Sequence, residues 1–299
     1  MTPRVCVFPS VPELEAAVER GGGTVSEAAT ADALVLFAGN NLVDLPLHDG
    51  MRWIQSSSAG NDHLIRAGLV DGTRVWTSAA GVYAPPIAEH VLGLLLTAAR
   101  NLHAYARART WQKLESRMLS ESTVGVIGAG GIGSAVVARL DALGARTIAI
   151  TRSGRAVPHA TESGGPELLP RLLETSDFVV LSVPLTEETR RLIDERALEQ
   201  MQPHAWLVNI ARGALVDTDA LVAALQEGRI GGAALDTVDP EPLPDGHPLW
   251  DLPNAIVTPH TAATLHEWMP LLADRVAENV ARFARGARLL GTIDPQRGY

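Results

Sequence analysis

Lysine is almost missing from this chain: Lys113 is its one lysine in 299 residues. A phosphate-loop NTPase needs a lysine at the end of a glycine-rich loop, and a Schiff-base enzyme needs a lysine nucleophile. Lys113 lies in TWQKLES with no glycine-rich loop before it, which argues against both classes. Cysteine is equally scarce. Cys6 stands alone, so no intrachain disulfide or cysteine-rich metal site can form. It sits in an apolar, strand-like run and is expected to be buried and inert. His63, His90, His103 and His266 share no metal-ligand spacing, so no metal is expected.

Positive charge is also short. Lys and Arg total 25 against 34 Asp and Glu, a net charge of -9. Nucleic acid and anionic membrane surfaces both require a basic face, so neither is an expected partner. The longest strongly apolar stretch, Val91–Ala99, falls well below the roughly 20 residues that span a bilayer. The first residues, MTPRVCVFPS, read as a strand and not as a secretory leader, and the expected compartment is the cytoplasm.

What remains is ample for folded cores: 46% of residues are hydrophobic and 20% charged, over a length that suits one large domain or two medium ones. Strand-like runs at Arg4–Phe8, Ala33–Phe37 and Arg52–Gln55 surround a helical Val11–Arg20. Ile87 to about Arg109 reads as one long helix starting at Pro85-Pro86. Strands are then expected at Thr123–Ile127, Ala145–Ile150, Phe178–Ser182, Ala205–Ile210, Gly232–Leu235 and Ala255–Val257. Helices are expected at Gly131–Leu143, Leu168–Glu174, Glu188–Gln200, Asp219–Glu227 and about Trp268–Arg285. Alternating strands and helices give parallel sheets covered on both faces, an α/β fold. The last helix is expected to leave the second domain and lean on the first.

Gly128-Ala129-Gly130-Gly131-Ile132-Gly133 matches G-x-G-x-x-G. The motif alone is weak; its context is not. An apolar strand precedes it, a small-residue helix follows, and a second strand closes a βαβ unit of about 30 residues. Gly128 permits the tight turn, Gly130 lets backbone approach a pyrophosphate, and Gly133 lets helix and strand touch. The helix N-terminus then faces the phosphates. An NAD-selecting chain places Asp or Glu at the end of the second strand, to hold the ribose 2′-hydroxyl. Here that end reads Thr151-Arg152-Ser153-Gly154-Arg155, with no acid. Two cations and two hydroxyls suit a 2′-phosphate, so NADP(H) is favoured over NAD(H).

Three polar residues follow successive late strands. They are Arg212 in NIARG, Glu241 in LDTVDPEP and His260 in TPHTA. Singly, each has a bland reading: a strand-end ion pair, a solvated acid, a core histidine. Together, beside a nicotinamide, they form a hydride-transfer site. Arginine grips a carboxylate and polarises a carbonyl, histidine delivers a proton, and a buried glutamate raises the histidine's affinity for that proton and fixes its tautomer. Asp239 and Asp251 read as solvated acids or caps. Trp53, Tyr83 and Trp268 are candidates for a pocket wall, with packing the expected role of two of them.

With GAGGIG, SVPLTEETRRLI, VNIARGALVD, LDTVDPEPLPDGHPLW and TPHTA in this order, the chain resembles the D-isomer-specific 2-hydroxyacid dehydrogenase family, most densely over Gly81–His260. The resemblance implies two Rossmann-like or flavodoxin-like α/β domains with a cleft between them. A cofactor domain, 93–269, would be inserted in a discontinuous substrate domain, 1–92 and 270–299. It implies that Arg212 binds and polarises a 2-oxo acid, that Glu241 pairs with His260, and that His260 is the acid/base. The cofactor would touch Gly128, Gly130, Gly131, Ile132, Gly133, Thr151, Arg152, Ser153, Arg155, Val183, Pro184, Thr189, Ile210, Ala211, Asp236 and His260. Ser58, Ala59 and Gly60, in the loop Ser57–Asp62, would bind the substrate carboxylate alongside Arg212 and His260. Ser58 and Asn61 depart from the family's usual GAG before V-D. The acid-free strand end looks like the glyoxylate/hydroxypyruvate reductase branch, which often uses NADPH. The implied partners are a small 2-oxo or 2-hydroxy acid and a second copy of the chain, in a homodimer formed by the cofactor domain and the helix from Ile87.

Two alternatives stay open. Formate- and phosphite-oxidising relatives share the arginine and histidine, though Glu241 and the chain's length argue against formate. A non-catalytic nucleotide-sensing scaffold of the same fold would be expected to carry disordered tails, which the sequence does not suggest.

Overall fold

The structure is a computed structural model and describes residues 2–37, 42, 44–70 and 72–295. The chain divides into two compact units, Met1–Tyr83 with Thr264–Tyr299, and Ala84–Ala263. The boundaries expected from sequence, 92/93 and 269/270, fall inside helices that each unit keeps whole.

The first unit contains β1 (Arg4–Phe8), α1 (Pro12–Arg20), β2 (Thr24–Val25), β3 (Ala33–Leu36), β4 (Trp53–Ser56), α2 (Asp62–Arg66) and β5 (Val75–Thr77). These strands form a parallel sheet in the order β2-β1-β3-β4-β5. Every residue of β3 and β4 is buried, as parallel strands covered on both faces must be. Cys6 is buried in this core, and burial pushes its thiol pKa up, which keeps it protonated and inert. The helix Leu265–Ala284 returns from the far end of the chain and packs on α1. Its start is a capping box, Thr264 with Glu267.

That returning helix is fastened by polar groups in the core. Asn279, 0% exposed, donates to Gln55 Oε1 at 2.8 Å and to the Leu290 carbonyl at 3.0 Å, and accepts the Leu290 amide at 2.8 Å. Gln55 Oε1 also accepts the Thr77 hydroxyl at 2.9 Å, and Thr77 accepts the Trp53 indole N–H at 2.8 Å. Trp53 is fully buried against Phe283, ring centroids 5.3 Å apart, and is a packing residue.

The second unit runs through α3 (Ala84–Ala99), α4 (Leu102–Arg107), β6 (Thr123–Ile127), α5 (Gly131–Ala142), β7 (Arg146–Ile150), β8 (Glu162–Gly164), α6 (Leu169–Thr175), β9 (Phe178–Leu181), α7 (Glu195–Gln200), β10 (Trp206–Asn209), α8 (Thr218–Gln226), β11 (Gly232–Leu235) and β12 (Ala255–Val257). The returning helix of the first unit is then α9. The second sheet is parallel throughout, in the order β12-β11-β10-β9-β6-β7-β8. Helices α3 and α5 pack on each other and on one face; α6, α7 and α8 cover the other. Register aligns Ile150, Ile127, Leu181, Asn209, Leu235 and Val257 in a row across six strands. The residues that follow them therefore share one carboxyl edge.

Two expected helices are corrected. The long helix from Ile87 is two pieces, because Asn101 adopts a left-handed φ of 54° that breaks the hydrogen-bond ladder. The helix expected at Glu188–Gln200 forms over Glu195–Gln200. Arg191 is left-handed (φ 51°), Ile193 bridges to Val216, and Asp194 caps the helix by accepting the Ala197 amide. Among the described residues, no helix is long and apolar enough to cross a membrane.

Asn279→Leu leaves both backbone groups of Leu290 without their side-chain partner in the core. A loss of at least about 2 kcal/mol is expected in urea unfolding; an unchanged midpoint would show that α9 is held by its apolar face alone.

Candidate active site

The glycine-rich turn links β6 to α5. Gly128 takes φ 98°, and a Cβ there would lie 2.6 Å from the Ser182 backbone, so only glycine fits. A Cβ on Gly133 would lie 2.3 Å from the Gly128 carbonyl, which is the close helix–strand approach read from the motif. At Gly130 a Cβ would meet no atom within 4 Å, so this backbone borders open space. Helix α5 starts at Gly131 with no side-chain cap, which leaves its first N–H groups to a ligand. Ile132 follows in the same turn. These features fit a nucleotide pyrophosphate.

At the end of β7 the expected cofactor residues separate. Thr151 is buried, whereas Arg152 and Ser153 are exposed. Arg155 turns back and donates to the Ala129 carbonyl at 3.0 Å, bracing the glycine loop. After β9, Val183 is half-buried and Pro184 is exposed. The Thr189 hydroxyl donates to the Pro184 carbonyl at 2.7 Å and accepts the Thr186 amide at 2.8 Å, so it pins this loop.

Beyond β10, Asn209 organises the turn that carries Arg212. Its side chain is 1% exposed, accepts the Ala211 amide at 3.1 Å and donates to the Arg212 carbonyl at 2.8 Å. Ile210 is buried beneath the turn. A Cβ on Gly213 would sit 1.9 Å from the Val238 carbonyl, so the loops after β10 and β11 touch backbone to backbone. The Arg212 side chain is half-buried and its Nη1 donates to the Ala211 carbonyl at 2.8 Å.

His260 and Glu241 meet. His260 Nδ1 lies 2.7 Å from Glu241 Oε1. A carboxylate only accepts, so Nδ1 carries the proton and Nε2 is the ring nitrogen left for exchange. The glutamate was expected to be buried; its side chain is 43% exposed and that of His260 50%. His260 itself is held in the left-handed region at φ 52°, an uncommon place for a histidine.

Asp236 explains how that backbone is held. It was expected at the cofactor. Its carboxylate is 1% exposed and accepts the Thr258 hydroxyl (2.6 Å), the Thr261 amide (2.9 Å) and the Ala262 amide (3.0 Å). Its own carbonyl accepts the His260 amide at 2.9 Å. Both ends of Asp236 are thus engaged with the segment 258–262. Sequence reasoning missed this anchor, the Asn209 clamp and the place of His90, whose Nε2 lies 3.2 Å from Thr258 Oγ1. An Asp or Asn directly at a strand's carboxyl end is the one sequence signal that marked two of the three.

In the first unit, the loop after β4 holds Ser58, Ala59 and Gly60. The Ser58 amide donates to Ser56 Oγ at 3.1 Å, so it is taken within the loop; its carbonyl accepts the Ala79 amide at 2.9 Å. Asn61 is buried and donates to the Ala59 carbonyl at 3.4 Å. Tyr83 donates to the Ser57 carbonyl. Burial raises its phenol pKa well above the ordinary value, with Arg275 pulling weakly the other way, so it stays a donor. Trp268 stacks on Tyr83 (5.4 Å) and Phe37 (5.7 Å), and these rings flank the loop's support.

The sequence profile for the D-isomer-specific 2-hydroxyacid dehydrogenase NAD-binding domain matches residues 92–262. The chain belongs to this family. It is an NAD(P)-dependent oxidoreductase of the 2-hydroxyacid dehydrogenase and reductase class. A glyoxylate reductase of Thermococcus litoralis is 38% identical over 70% of this chain and 67% of its own length. Two solved structures cover the whole of both chains. One is the family member from Xanthobacter autotrophicus in complex with NADPH and MES (TM-score 0.87, 28% identity). The other is the NADPH-dependent glyoxylate/hydroxypyruvate reductase from Sinorhizobium meliloti with NADP and sulfate (TM-score 0.84, 27% identity).

Proposed function

We propose that this dehydrogenase reduces a small 2-oxo acid, of the glyoxylate or hydroxypyruvate kind, to the D-2-hydroxy acid, using NADPH in preference to NADH. The observation that carries the reading is the His260–Glu241 pair, joined at 2.7 Å and half exposed, on the sheet edge that also bears Arg212. The names of the relatives favour the substrate class.

The nucleotide, when bound, supplies the hydride. Arg212 grips the substrate carboxylate with its planar fork and polarises the neighbouring carbonyl. His260 gives a proton from Nε2 to the carbonyl oxygen, while Glu241 holds Nδ1–H and offsets the imidazolium charge. Run backwards, the neutral Nε2 takes the proton from the hydroxyl. In the first unit, the reading assigns the loop Ser58–Gly60 to a small anion, with the amides of Ala59 and Gly60 as the donors.

NADPH preference rests on Arg152 and Ser153, exposed where an NAD-selecting chain would carry an acid. Arg155 braces the loop instead. A homodimer is favoured by apolar surface concentrated in one stretch: Leu96, Leu102, Tyr105, Leu114 and Met118 are all exposed, and Trp111 is 96% exposed. A nucleotide-dependent reductase needs a compartment that regenerates its nucleotide, which favours the cytoplasm.

His260→Ala should cut turnover with glyoxylate or hydroxypyruvate by about 10²–10⁴ while NADPH binding, read by fluorescence, stays near that of the parent. Turnover that survives the change would remove His260 as the acid. Arg152→Ala should raise the Michaelis constant for NADPH roughly tenfold, the scale of one charge-assisted contact, and leave that for NADH nearly unchanged. An equal change for both nucleotides would show that Arg152 does not read the phosphate. Trp111→Asp should weaken the dimer at least roughly thirtyfold in sedimentation, about 2 kcal/mol at one buried aromatic; a parent protein that sediments as a monomer ends the dimer reading.

A further inference from the structure

The imidazole of His90, on α3, approaches the segment 258–262 from the helix layer and not from the sheet edge. Its Nε2 is 3.2 Å from Thr258 Oγ1 and 3.6 Å from Asp236 Oδ1. The first is a hydrogen bond and the second is too long for one. Proton bookkeeping fixes the direction. Thr258 has one hydroxyl proton, and at 2.6 Å that proton goes to Asp236 Oδ1, which cannot donate as a carboxylate. The Thr258 oxygen is therefore the acceptor towards His90, and His90 carries its proton on Nε2. The chain of hydrogen bonds runs from His90 through Thr258 to Asp236, which ends the series as acceptor.

Asp236 is where this chain meets His260. The same Oδ1 accepts the Thr261 amide, Oδ2 accepts the Ala262 amide, and the Asp236 carbonyl accepts the amide of His260. His260 sits at φ 52°, a conformation costing of order 1 kcal/mol or more unless its surroundings impose it. The bonds on both flanks of His260 impose it. His90 orients the Thr258 hydroxyl, and through it the carboxylate, so that all three donors of the segment are met at once.

We propose that His90 is a positioning residue for His260, acting through Thr258 and Asp236. It touches neither substrate nor nucleotide in this role. The inference rests on the reading of His260 as the proton donor. His90→Gln keeps an N–H donor at the same reach; His90→Phe removes the donor and keeps the bulk.

The test is a double-mutant cycle on the full-length protein, with turnover of glyoxylate or hydroxypyruvate at saturating NADPH as one readout. His90→Phe should lower kcat roughly tenfold with the Michaelis constant for NADPH and the thermal midpoint little changed. His90→Gln should recover most of that loss. Thr258→Val, which removes the linking hydroxyl, should reproduce it. In a His260→Ala background, His90→Phe should cost nothing further. The second readout needs no nucleotide: hydrogen exchange at the amides of Thr261 and Ala262 should speed up at least roughly tenfold in His90→Phe and not in His90→Gln. An equal kcat loss in both backgrounds, or unchanged amide exchange, would falsify the positioning role while leaving His260 as the acid. Full turnover in His260→Ala itself would overturn both readings.

Discussion

A carboxylate with no water around it must be met by donors, because an unpaired buried charge costs several kcal/mol. Asp236 meets this demand by drawing in the segment that carries His260. One hydroxyl and two amides close on its oxygens, and its carbonyl takes the His260 amide. The left-handed turn at His260 follows from this geometry and not from the intrinsic preference of histidine. Asn209 solves a similar problem one strand over, where a buried amide side chain holds the turn before Arg212 from both sides. Two buried polar residues, register partners or next to them in the sheet, thus fix the backbone of two proposed site residues.

The parallel sheet provides the frame on which these anchors act. Its carboxyl ends are aligned across six strands, so a single edge receives the glycine turn, the Arg152 turn, the 183–189 loop, Arg212, Asp236 and His260. Backbone contact at Gly213 presses the loops after β10 and β11 together without side chains intervening. The two arginines after β7 divide the work. Arg155 is committed to the Ala129 carbonyl and so stiffens the turn that would face the pyrophosphate, leaving Arg152 as the cation proposed to select NADPH.

Much of this was legible because it depends on local pattern. Apolar runs ended by polar residues gave the strands, and the glycine spacing gave the turn between β6 and α5. His260, Glu241 and Arg212 stood out because each follows such a run. The misses have physical causes. Asn101 and Arg191 interrupt helical patterns by adopting left-handed φ, which composition does not signal for Arg at all. The family resemblance pointed to Asp236 as a cofactor contact; burial and its three donors reveal that it is also an anchor, which no local pattern signals. His90 sits 168 residues from Thr258, and no periodicity in α3 marks one histidine on a half-buried face as paired with a distant hydroxyl.

The exposure of the His260–Glu241 pair bears on what the pair can contribute. Half-exposed ion pairs add little to stability, about 0–1 kcal/mol, because water competes for both charges. Their attraction therefore cannot be what holds the imidazole in place. The placement must come from the backbone, from the turn at φ 52° tied to Asp236 and from whatever stiffens that tie. What the glutamate supplies under the proposed function is tautomer control: it keeps a proton on Nδ1 and so leaves Nε2 to trade the reacting one. Under that same proposal exposure serves the chemistry directly, since a proton given to product in each turnover would have to return from solvent to the same nitrogen. The proposed mechanism thus assigns precision and proton supply to different parts of the molecule, the first to a buried aspartate behind the turn and the second to the exposed ring itself.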